Sequence, residues 1–369
     1  MKRITLIGLL FIALFAIIFN ACNNITHKDN IKIGVILPLT GKFAVIGEGE
    51  KKGIEMAIDS LKKKFPNTKI EVVYEDFASE TKNAVTAANK LISIEKVDAI
   101  ITSTTAASEA VSPIVEQAHK INFVISPDIE IVSKSQYNFR IYYNFNTESE
   151  VVNSFVQKMK PSSVSFLASK YSSLQKLVEG KLEPNFKQAG INILTKEYVE
   201  VTDKDFKTPI LKIKNGNPAM WFLAPMTNQV DLYTNQLRDY GVTPSNDRIM
   251  IGSFTFNWKP ADFISTLEGY YIVTPVFQTF DNNNAFVKAF NDRYNTNPSF
   301  DIAYAYDNTL ILSELLISSK KEFKNFKEAF NKLGTRQGAS GKINFVGNNE
   351  TNAEIIVTKV VNGKQTTQY

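Results

Sequence analysis

The stretch "IKIGVILPLTGKFAVIGEGEKKGIEMAID", residues 31–59, carries the pattern that decides the fold. Residues 31–37 form a near-continuous apolar run, as expected of a strand that is covered on both faces of a parallel sheet. A glycine-bearing turn follows, and apolar residues then recur at helical spacing over residues 48–64. The stretch therefore predicts a strand, a turn and a helix, an opening shared by dinucleotide-binding enzymes and by several kinds of binding protein.

The same alternation of strand and helix patterns continues along the chain and then restarts. Residues 151–159 predict a helix, residues 164–167 a strand and residues 174–188 another helix. Repeated alternation of this kind predicts parallel sheets with right-handed crossovers. The restart predicts two α/β lobes of similar size, with a ligand cleft at the carboxyl ends of their strands.

The N-terminus has the pattern of a secretory signal peptide over residues 1–21. Lys2 and Arg3 precede an apolar run over residues 4–19, and a small residue, Ala21, ends the segment. The run is shorter than the roughly 20 residues of a membrane-spanning helix. A retained membrane anchor is the alternative interpretation of this segment.

The charge of the chain is close to balanced. Of 42 basic residues two lie in the predicted signal peptide, which leaves 40 against 37 acidic residues. The short lysine runs, at residues 62–64 and 320–321, lie at the polar ends of predicted helices and are typical of solvated faces. No basic patch interleaved with aromatic residues is present, so no nucleic-acid partner is predicted.

The glycines of "GEGEKKG", residues 47–53, do not form a dinucleotide fingerprint. That motif needs G-x-G-x-x-G directly after the strand, whereas residues 38–46 intervene here and the last spacing is one residue too long. Glu48 and Glu50 would also place negative charge near a pyrophosphate. No cofactor is therefore predicted.

Residues that could support catalysis are scarce. Of the two histidines, His27 lies in a polar tether and His119 at the end of a predicted helix, where a positive charge suits the helix dipole. The one cysteine, Cys22, cannot form a zinc cluster alone. We therefore predict neither an enzyme nor a metal site.

Taken with five later segments, the opening stretch resembles the leucine/isoleucine/valine-binding family of periplasmic binding proteins. The resemblance runs in order from residue 31 to the C-terminus and is strongest through residue 127. The five segments are "VVYEDFASETKNAVTAANKLI" (72–92), "VDAIITSTTAASEAVSPI" (97–114), "FVISP" (123–127), "LEGYYIVTPV" (267–276) and "PSFDIAYAYDNTLIL" (298–312).

The resemblance implies the type I periplasmic binding protein fold: two doubly wound parallel-sheet lobes joined by a three-segment hinge. It implies that the lobes close on a small-molecule solute and that the closed form docks to an ABC permease. The implied ranges are 31–143 plus 276–345 for lobe 1, 144–275 plus 346–369 for lobe 2, and 142–146, 274–277 and 345–349 for the hinge.

The run "FNAC", residues 19–22, resembles the lipobox of bacterial lipoproteins. By this resemblance Cys22 becomes the acylated N-terminus, and residues 22–30 form a lipidated tether. A lipidated cysteine leaves none for disulfides, although an exported protein could hold them. We expect a monomer, anchored by lipid in the cell envelope outside the cytoplasm.

Family ligand positions can be carried over one residue at a time. Thr105 matches a hydroxyl position that holds the α-carboxylate of amino acids, with Ala106 beside it at a helix N-terminus. Ile46, with Phe43 close by, falls near the place of an aromatic residue that closes the cleft. Tyr171 matches a tyrosine position in lobe 2, and Met226 stands where another tyrosine is common.

Three positions depart from the family pattern. After the fourth strand the family usually has small-small-Thr, whereas this chain has Asp128, Ile129 and Glu130, and the two acids would repel a carboxylate. Phe254 lies near the place of the acidic residue that accepts the α-ammonium. These departures favour a cationic, amide or partly apolar ligand over an ordinary zwitterionic amino acid.

The sequence therefore predicts a solute-binding lipoprotein of an ABC importer, which binds an amino acid or an amino-acid-like solute. The alternatives are a sensory binding protein on the same fold without an importer, an envelope hydrolase, and a structural lipoprotein.

Overall fold

The computed structural model describes residues 30–226, 229–253, 261–280 and 283–369. The predicted signal peptide, the predicted lipidation site Cys22 and the predicted ligand residue Phe254 lie outside these ranges. Within the described ranges, none of the helices combines the length and the apolar character needed to cross a membrane.

Strands of the described residues build three sheets, with orders β2-β1-β3-β4-β5, β15-β14-β10-β9-β8-β6-β7 and β11-β12-β13. The strands are β1 (Asn30–Leu37), β2 (Lys69–Asp76), β3 (Ala99–Ser103), β4 (Ile121–Ile125), β5 (Asn138–Arg140), β6 (Ser163–Ser169), β7 (Asn192–Val199), β8 (Met220–Ala224), β9 (Ile249–Ile251), β10 (Tyr271–Pro275), β11 (Thr335–Gly338), β12 (Gly341–Gly347), β13 (Glu350–Ala353), β14 (Ile355–Val361) and β15 (Lys364–Thr367).

Helices connect and cover these strands. They are α1 (Ala44–Lys64), α2 (Thr81–Ser93), α3 (Thr105–Gln117), α4 (Glu130–Ser133), α5 (Phe145–Met159), α6 (Ser172–Leu177), α7 (Glu183–Gln188), α8 (Lys207–Asn215), α9 (Val230–Asp239), α10 (Ala285–Tyr294), α11 (Phe300–Ser318) and α12 (Phe323–Asn331). A π-helical segment, Val178–Leu182, joins α6 to α7.

Lobe 1 is built on the five-stranded sheet, in which every neighbouring pair of strands is parallel. Strand β1, the second strand from one edge, is apolar on both faces because helices cover both. Val35 belongs to the core that contains Ile54 of α1, whereas the next residue, Ile36, belongs to a separate core with Leu91 of α2. This explains why the opening stretch has no alternation of polar and apolar residues.

The glycines of residues 47–53 serve helix packing. A Cβ on Gly47 would lie 2.4 Å from the carbonyl oxygen of Pro38, and a Cβ on Gly53 would lie 2.3 Å from that of Ile302. Both separations are too short for a side chain. The two glycines therefore allow α1 to approach the end of β1 and the first turn of α11.

Lobe 2 is built on the seven-stranded sheet. Strands β7, β6, β8, β9 and β10 are parallel, and the C-terminal strands β14 and β15 add to the β10 edge in antiparallel orientation. The predicted α/β class with parallel sheets is confirmed, with two strands added at this edge through antiparallel pairing.

The chain passes between the lobes at residues 141–144, 275–276 and 354. The crossings lie side by side: the Val276 N–H donates to the Glu354 carbonyl at 3.1 Å, and Asn144 Nδ2 donates to Asn352 Oδ1 at 3.0 Å. The third crossing lies beyond the predicted 345–349, because β13 first pairs with β12. The return to lobe 2 was predicted at residue 346, and β14 begins to pair with β10 at residue 355.

Candidate functional site

A cavity lies between the lobes, at the carboxyl ends of β3, β4, β6 and β8. Its volume is about 20 Å³, far below the roughly 300–1,000 Å³ of typical small-molecule sites. The lobes must therefore separate before a solute can enter. The cavity is lined by Phe43, Ile46, Glu50, Ser103, Thr104, Thr105, Ile125, Pro127, Tyr142, Tyr171, Met226 and Asp301.

The loop after β1 presents an aromatic wall. Asp76, at the end of β2, accepts hydrogen bonds from the Thr40 hydroxyl (2.6 Å) and the Leu39 N–H (2.9 Å). Partial burial alone would raise the pKa of Asp76, but these hydrogen bonds lower it below its usual range. The loop anchored in this way places the Phe43 ring against Tyr171 of lobe 2, with ring centroids 5.7 Å apart and an edge-to-face angle of 71°.

The turn from β3 into α3 supplies polar groups and contains a strained residue. Thr104 has φ +69° and ψ 148°, which a β-branched residue adopts only at a cost of about 1–3 kcal/mol. The hydroxyl of the next residue, Thr105, lies 2.8 Å from that of Ser126. Strain of this kind is common at ligand sites, where the surrounding structure enforces it.

The lobe 2 wall is held by a serine. Ser169 Oγ accepts the Met226 N–H at 2.8 Å and donates to Gln229 Oε1 at 2.5 Å. Gln229 Nε2 in turn donates to the carbonyl of Glu200 at 2.9 Å. These contacts fix the loop after β8, so that the buried Met226 side chain faces the cavity.

Two carboxyl groups in the cavity wall were not predicted as site residues. Glu50 on α1 is 1% exposed and Asp301 on α11 is 2% exposed. Ser103 Oγ donates to Glu50 Oε1 at 2.9 Å, and the Tyr142 hydroxyl donates to Asp301 Oδ1. Burial, and then the charge of Asp301, raises the pKa of Glu50 well above its usual range; burial does the same for Asp301.

Asp128 and Glu130 lie outside the cavity, at the rim of the cleft. Lys176 on α6 of lobe 2 forms an ion pair with Asp128 at 2.6 Å, and lies 3.8 Å from Glu130. It also pairs with Glu109 on α3 at 2.7 Å. Burial alone would lower the pKa of Lys176, but these carboxylates raise it above its usual value. The rim acids therefore bind a lysine of the opposite lobe.

The structure thus separates the predicted ligand residues into three groups. Phe43, Ile46, Thr105, Tyr171 and Met226 line the cavity. Ala106 is the second residue of α3 and does not line it, and Asp128 and Glu130 are at the rim. Their ligand-binding roles stay predictions, and Phe254 lies outside the described residues.

The described part of the chain offers few groups for metal binding or for catalysis by histidine. No three side chains of His, Cys, Asp or Glu converge there as metal ligands. His119 lies away from the cavity, and its Nδ1 is 2.9 Å from the Tyr137 hydroxyl.

A family model described as "Periplasmic binding protein" matches residues 30–365. The chain belongs to the periplasmic binding protein family. The family predicted from the ordered segments is therefore confirmed. This periplasmic binding protein is similar to Leu/Ile/Val-binding protein homolog 3 of Brucella melitensis, with 27% identity over 222 residues. That alignment covers 58% of this chain and 59% of the relative, which is less than two thirds of the relative's length.

Two solved structures share the fold. A leucine-binding protein from Thermotoga maritima has a TM-score of 0.77 and 22% identity, with 92% of this chain and 98% of that chain covered. An ABC-transporter solute-binding protein from Rhodopseudomonas palustris, in complex with 3,4-dihydroxybenzoic acid, has a TM-score of 0.81 and 20% identity, with 92% and 97% covered. At these identities the likeness concerns the fold, which is that of the type I periplasmic binding proteins.

Proposed function

We propose that this chain is an extracytoplasmic, lipid-anchored solute-binding protein, which captures a small polar solute between its lobes and delivers it to an ABC importer. One observation carries the proposal: polar and aromatic groups of both lobes converge on one cavity at the ends of parallel strands. A solute that contacts both walls stabilises the closed arrangement, because it binds that arrangement more tightly than the open one.

The three chain crossings are the proposed hinge. They lie side by side and are few, so a change of backbone angles at residues 141–144, 275–276 and 354 would separate the lobes while each sheet stays intact. Small-angle X-ray scattering would measure this change. We expect the radius of gyration to fall when a binding solute is added.

The cavity and the names of the relatives both bear on the nature of the solute. Those names describe binding of leucine, isoleucine and valine in some relatives and of an aromatic acid in another. The cavity of this chain contains two buried carboxyl groups, which disfavour a solute whose only charge is negative. An amino acid or an amino-acid-like solute fits better.

Native mass spectrometry of gently purified residues 23–369, followed by thermal melting with a solute panel, tests the proposal. A solute at about 100 times its Kd adds roughly 2.7 kcal/mol of stability, so the melting temperature should rise by roughly 5 °C. If neither a retained mass nor a shift is found, and scattering shows no compaction, a structural lipoprotein becomes the better explanation.

Lipid anchoring is tested separately. Cys22→Ser should move the protein from the membrane fraction to the soluble fraction and abolish labelling with a fatty acid. Delivery to an importer is tested by solute uptake in cells that lack this chain. Unchanged uptake of the solute that it binds would favour a sensory role.

A further inference from the structure

Glu50 and Asp301 differ from the other buried carboxyl groups of the described chain in how they are partnered. Each has one oxygen in a hydrogen bond, to Ser103 and Tyr142 respectively. The second oxygen of each, Glu50 Oε2 and Asp301 Oδ2, is buried and has no hydrogen-bond partner among the described residues. Both side chains line the cavity between the lobes.

Asp307 shows what a buried carboxylate with a structural role looks like on the same helix. It is 1% exposed and accepts three hydrogen bonds, from the Ala339 N–H and from the N–H and hydroxyl of Ser340, at 2.6–2.8 Å. Neither oxygen is left over, and Asp307 does not line the cavity. Asp301, two turns earlier, has no comparable set of donors.

No basic side chain of the described residues forms an ion pair with Glu50 or Asp301. Lys176 is paired at the rim, and the buried Arg140 binds Glu350 and backbone carbonyls behind the cavity wall. Two carboxyl groups without cations in a closed cavity are unfavourable when ionised. Positive charge and hydrogen-bond donors brought by a solute would remove this cost.

We infer that Glu50 and Asp301 form the subsite for a cationic N–H donor group, a primary ammonium or a guanidinium, of the bound solute. This inference rests on the proposed binding function. Each unpartnered carboxylate oxygen accepts one hydrogen bond from such a group, and charge-assisted bonds of this kind are the strong ones. The rings of Phe43 and Tyr171 lie on the same cavity and suit a cation near their faces.

The arrangement selects a donor rather than any cation. A quaternary ammonium carries positive charge but no N–H group, so it would leave both oxygens unpartnered. The residues predicted from the sequence to favour a cationic solute, Asp128 and Glu130, are paired with Lys176. The sequence prediction of a cationic solute is therefore retained. The residues inferred to bind its positive charge are Glu50 and Asp301 instead of Asp128 and Glu130.

The test is isothermal titration calorimetry with residues 23–369 and a panel of L-lysine, agmatine, L-leucine and 4-methylpentanoate, the last being leucine without its ammonium. The best-binding ammonium or guanidinium probe is then titrated into Glu50→Gln, Asp301→Asn and Asp307→Asn. We expect each of the first two changes to weaken binding at least roughly tenfold. Asp307→Asn should leave affinity within about threefold.

Thermal melting of the same unliganded variants provides a second readout. Glu50→Gln and Asp301→Asn remove carboxyl groups whose ionisation in the closed cavity is unfavourable, so their melting temperatures should equal or exceed that of the wild type. Asp307→Asn should lower it, because a fully partnered carboxylate is lost. Loss of affinity with gain of stability is not expected of a residue with a purely structural role.

Two results would overturn the inference. One is wild-type affinity for the cationic probe in Glu50→Gln and Asp301→Asn. The other is a wild type that binds 4-methylpentanoate and none of the cationic probes; compaction in scattering with that acid would then keep the proposed binding function. Absence of binding and of compaction with every probe would count against both the cationic subsite and the proposed binding function.

Discussion

Two groups of carboxylates lie at the boundary between the lobes, and they differ in what faces them. At the rim, Asp128 pairs with Lys176 of the opposite lobe at 2.6 Å. Inside the cavity, Glu50 and Asp301 face no basic side chain of the described residues, and each keeps an unpartnered oxygen. Acidic residues near a cleft therefore do not by themselves indicate a cationic ligand. What matters is whether the chain supplies their counter-charge.

The largest effect is expected when the cavity pair is given an internal counter-charge. Met226→Lys places an ammonium on the lobe 2 wall of the cavity that Glu50 and Asp301 line from lobe 1. We expect it to mimic the solute and to reduce affinity for an ammonium probe by about 100-fold or more. Scattering should show a compact protein without any solute.

The control for this change is a double-mutant cycle. In the Glu50→Gln, Asp301→Asn background the same lysine would be buried without a partner, so Met226→Lys should lower the melting temperature far more than it does in the wild type. Met226→Leu should leave cation binding within about threefold. Equal destabilisation in both backgrounds would mean that the lysine does not meet the carboxyl pair.

The second prediction concerns pH. Burial raises the pKa of Glu50 and of Asp301, so a cation must displace protons that the free protein still holds. Affinity for an ammonium probe should rise by up to about tenfold per pH unit above the usual carboxyl range of about 4–4.5. A pKa raised by folding has the opposite effect on the free protein, whose stability should fall over the same range.

Other titratable groups near the pair are Tyr142, Tyr143, Tyr304 and Glu148. Burial raises the pKa of the three tyrosines, which stay neutral in this range, and raises that of Glu148 to about 7. Calorimetry in buffers of different ionisation enthalpy, with Glu50→Gln, Asp301→Asn as control, separates their contribution. A pH dependence that persists in the double variant would assign it to other buried carboxyl groups, Glu148 or Asp307, since burial raises the pKa of Asp307 to about 6.

A smaller effect is expected at the rim. Lys176→Met removes the counter-charge of Glu109, Asp128 and Glu130, and so weakens the contact between the closed lobes. Because the Lys176 side chain is 41% exposed, solvent screening limits the loss of solute affinity to roughly two- to fivefold. The loss should shrink at about 0.5 M salt.

Lys170→Met is the matched control for the rim lysine, since Lys170 pairs with Glu200 of its own lobe at 2.8 Å. It should leave affinity unchanged. A loss equal to that of Lys176→Met would mean that general surface charge, and not the bridge between the lobes, controls closure.

The smallest effect is expected for the acids that the sequence favoured as ligand residues. Asp128→Asn and Glu130→Gln should each change affinity for an ammonium probe by less than about threefold, because neither side chain lines the cavity. Titration calorimetry checks this. A tenfold loss in either variant would return the cationic subsite to the rim.

The sequence predicted the family, the α/β class and much of the order of the helices and strands. The apolar run at residues 31–37 and the helical spacing that follows it are local patterns. Such patterns predict secondary structure directly, without knowledge of distant partners. Helix α12 has a usable signal, because Phe323, Phe326 and Phe330 recur at helical spacing. Strand β13 has no such signal because "ETNA" is polar. It forms by pairing with β12, and no local sequence pattern indicates that pairing.

The site was harder to predict because it depends on partners distant in sequence. Glu50 falls at helical spacing among the buried residues Ile46, Gly47 and Gly53 of α1, and a carboxylate on an apolar face is a usable signal. Asp301 gives a similar signal in the apolar first turn of α11. Pairing of Asp128 with Lys176, by contrast, joins residues of two lobes, and nothing in the sequence brings them together.

The most direct measurement is a crystal structure of residues 23–369 with the ammonium or guanidinium probe that binds best. We expect the solute between the two lobes, with its cationic nitrogen within about 3 Å of oxygens of both Glu50 and Asp301. A nitrogen bound elsewhere, or a solute carboxylate beside Glu50 and Asp301, would contradict the cationic subsite.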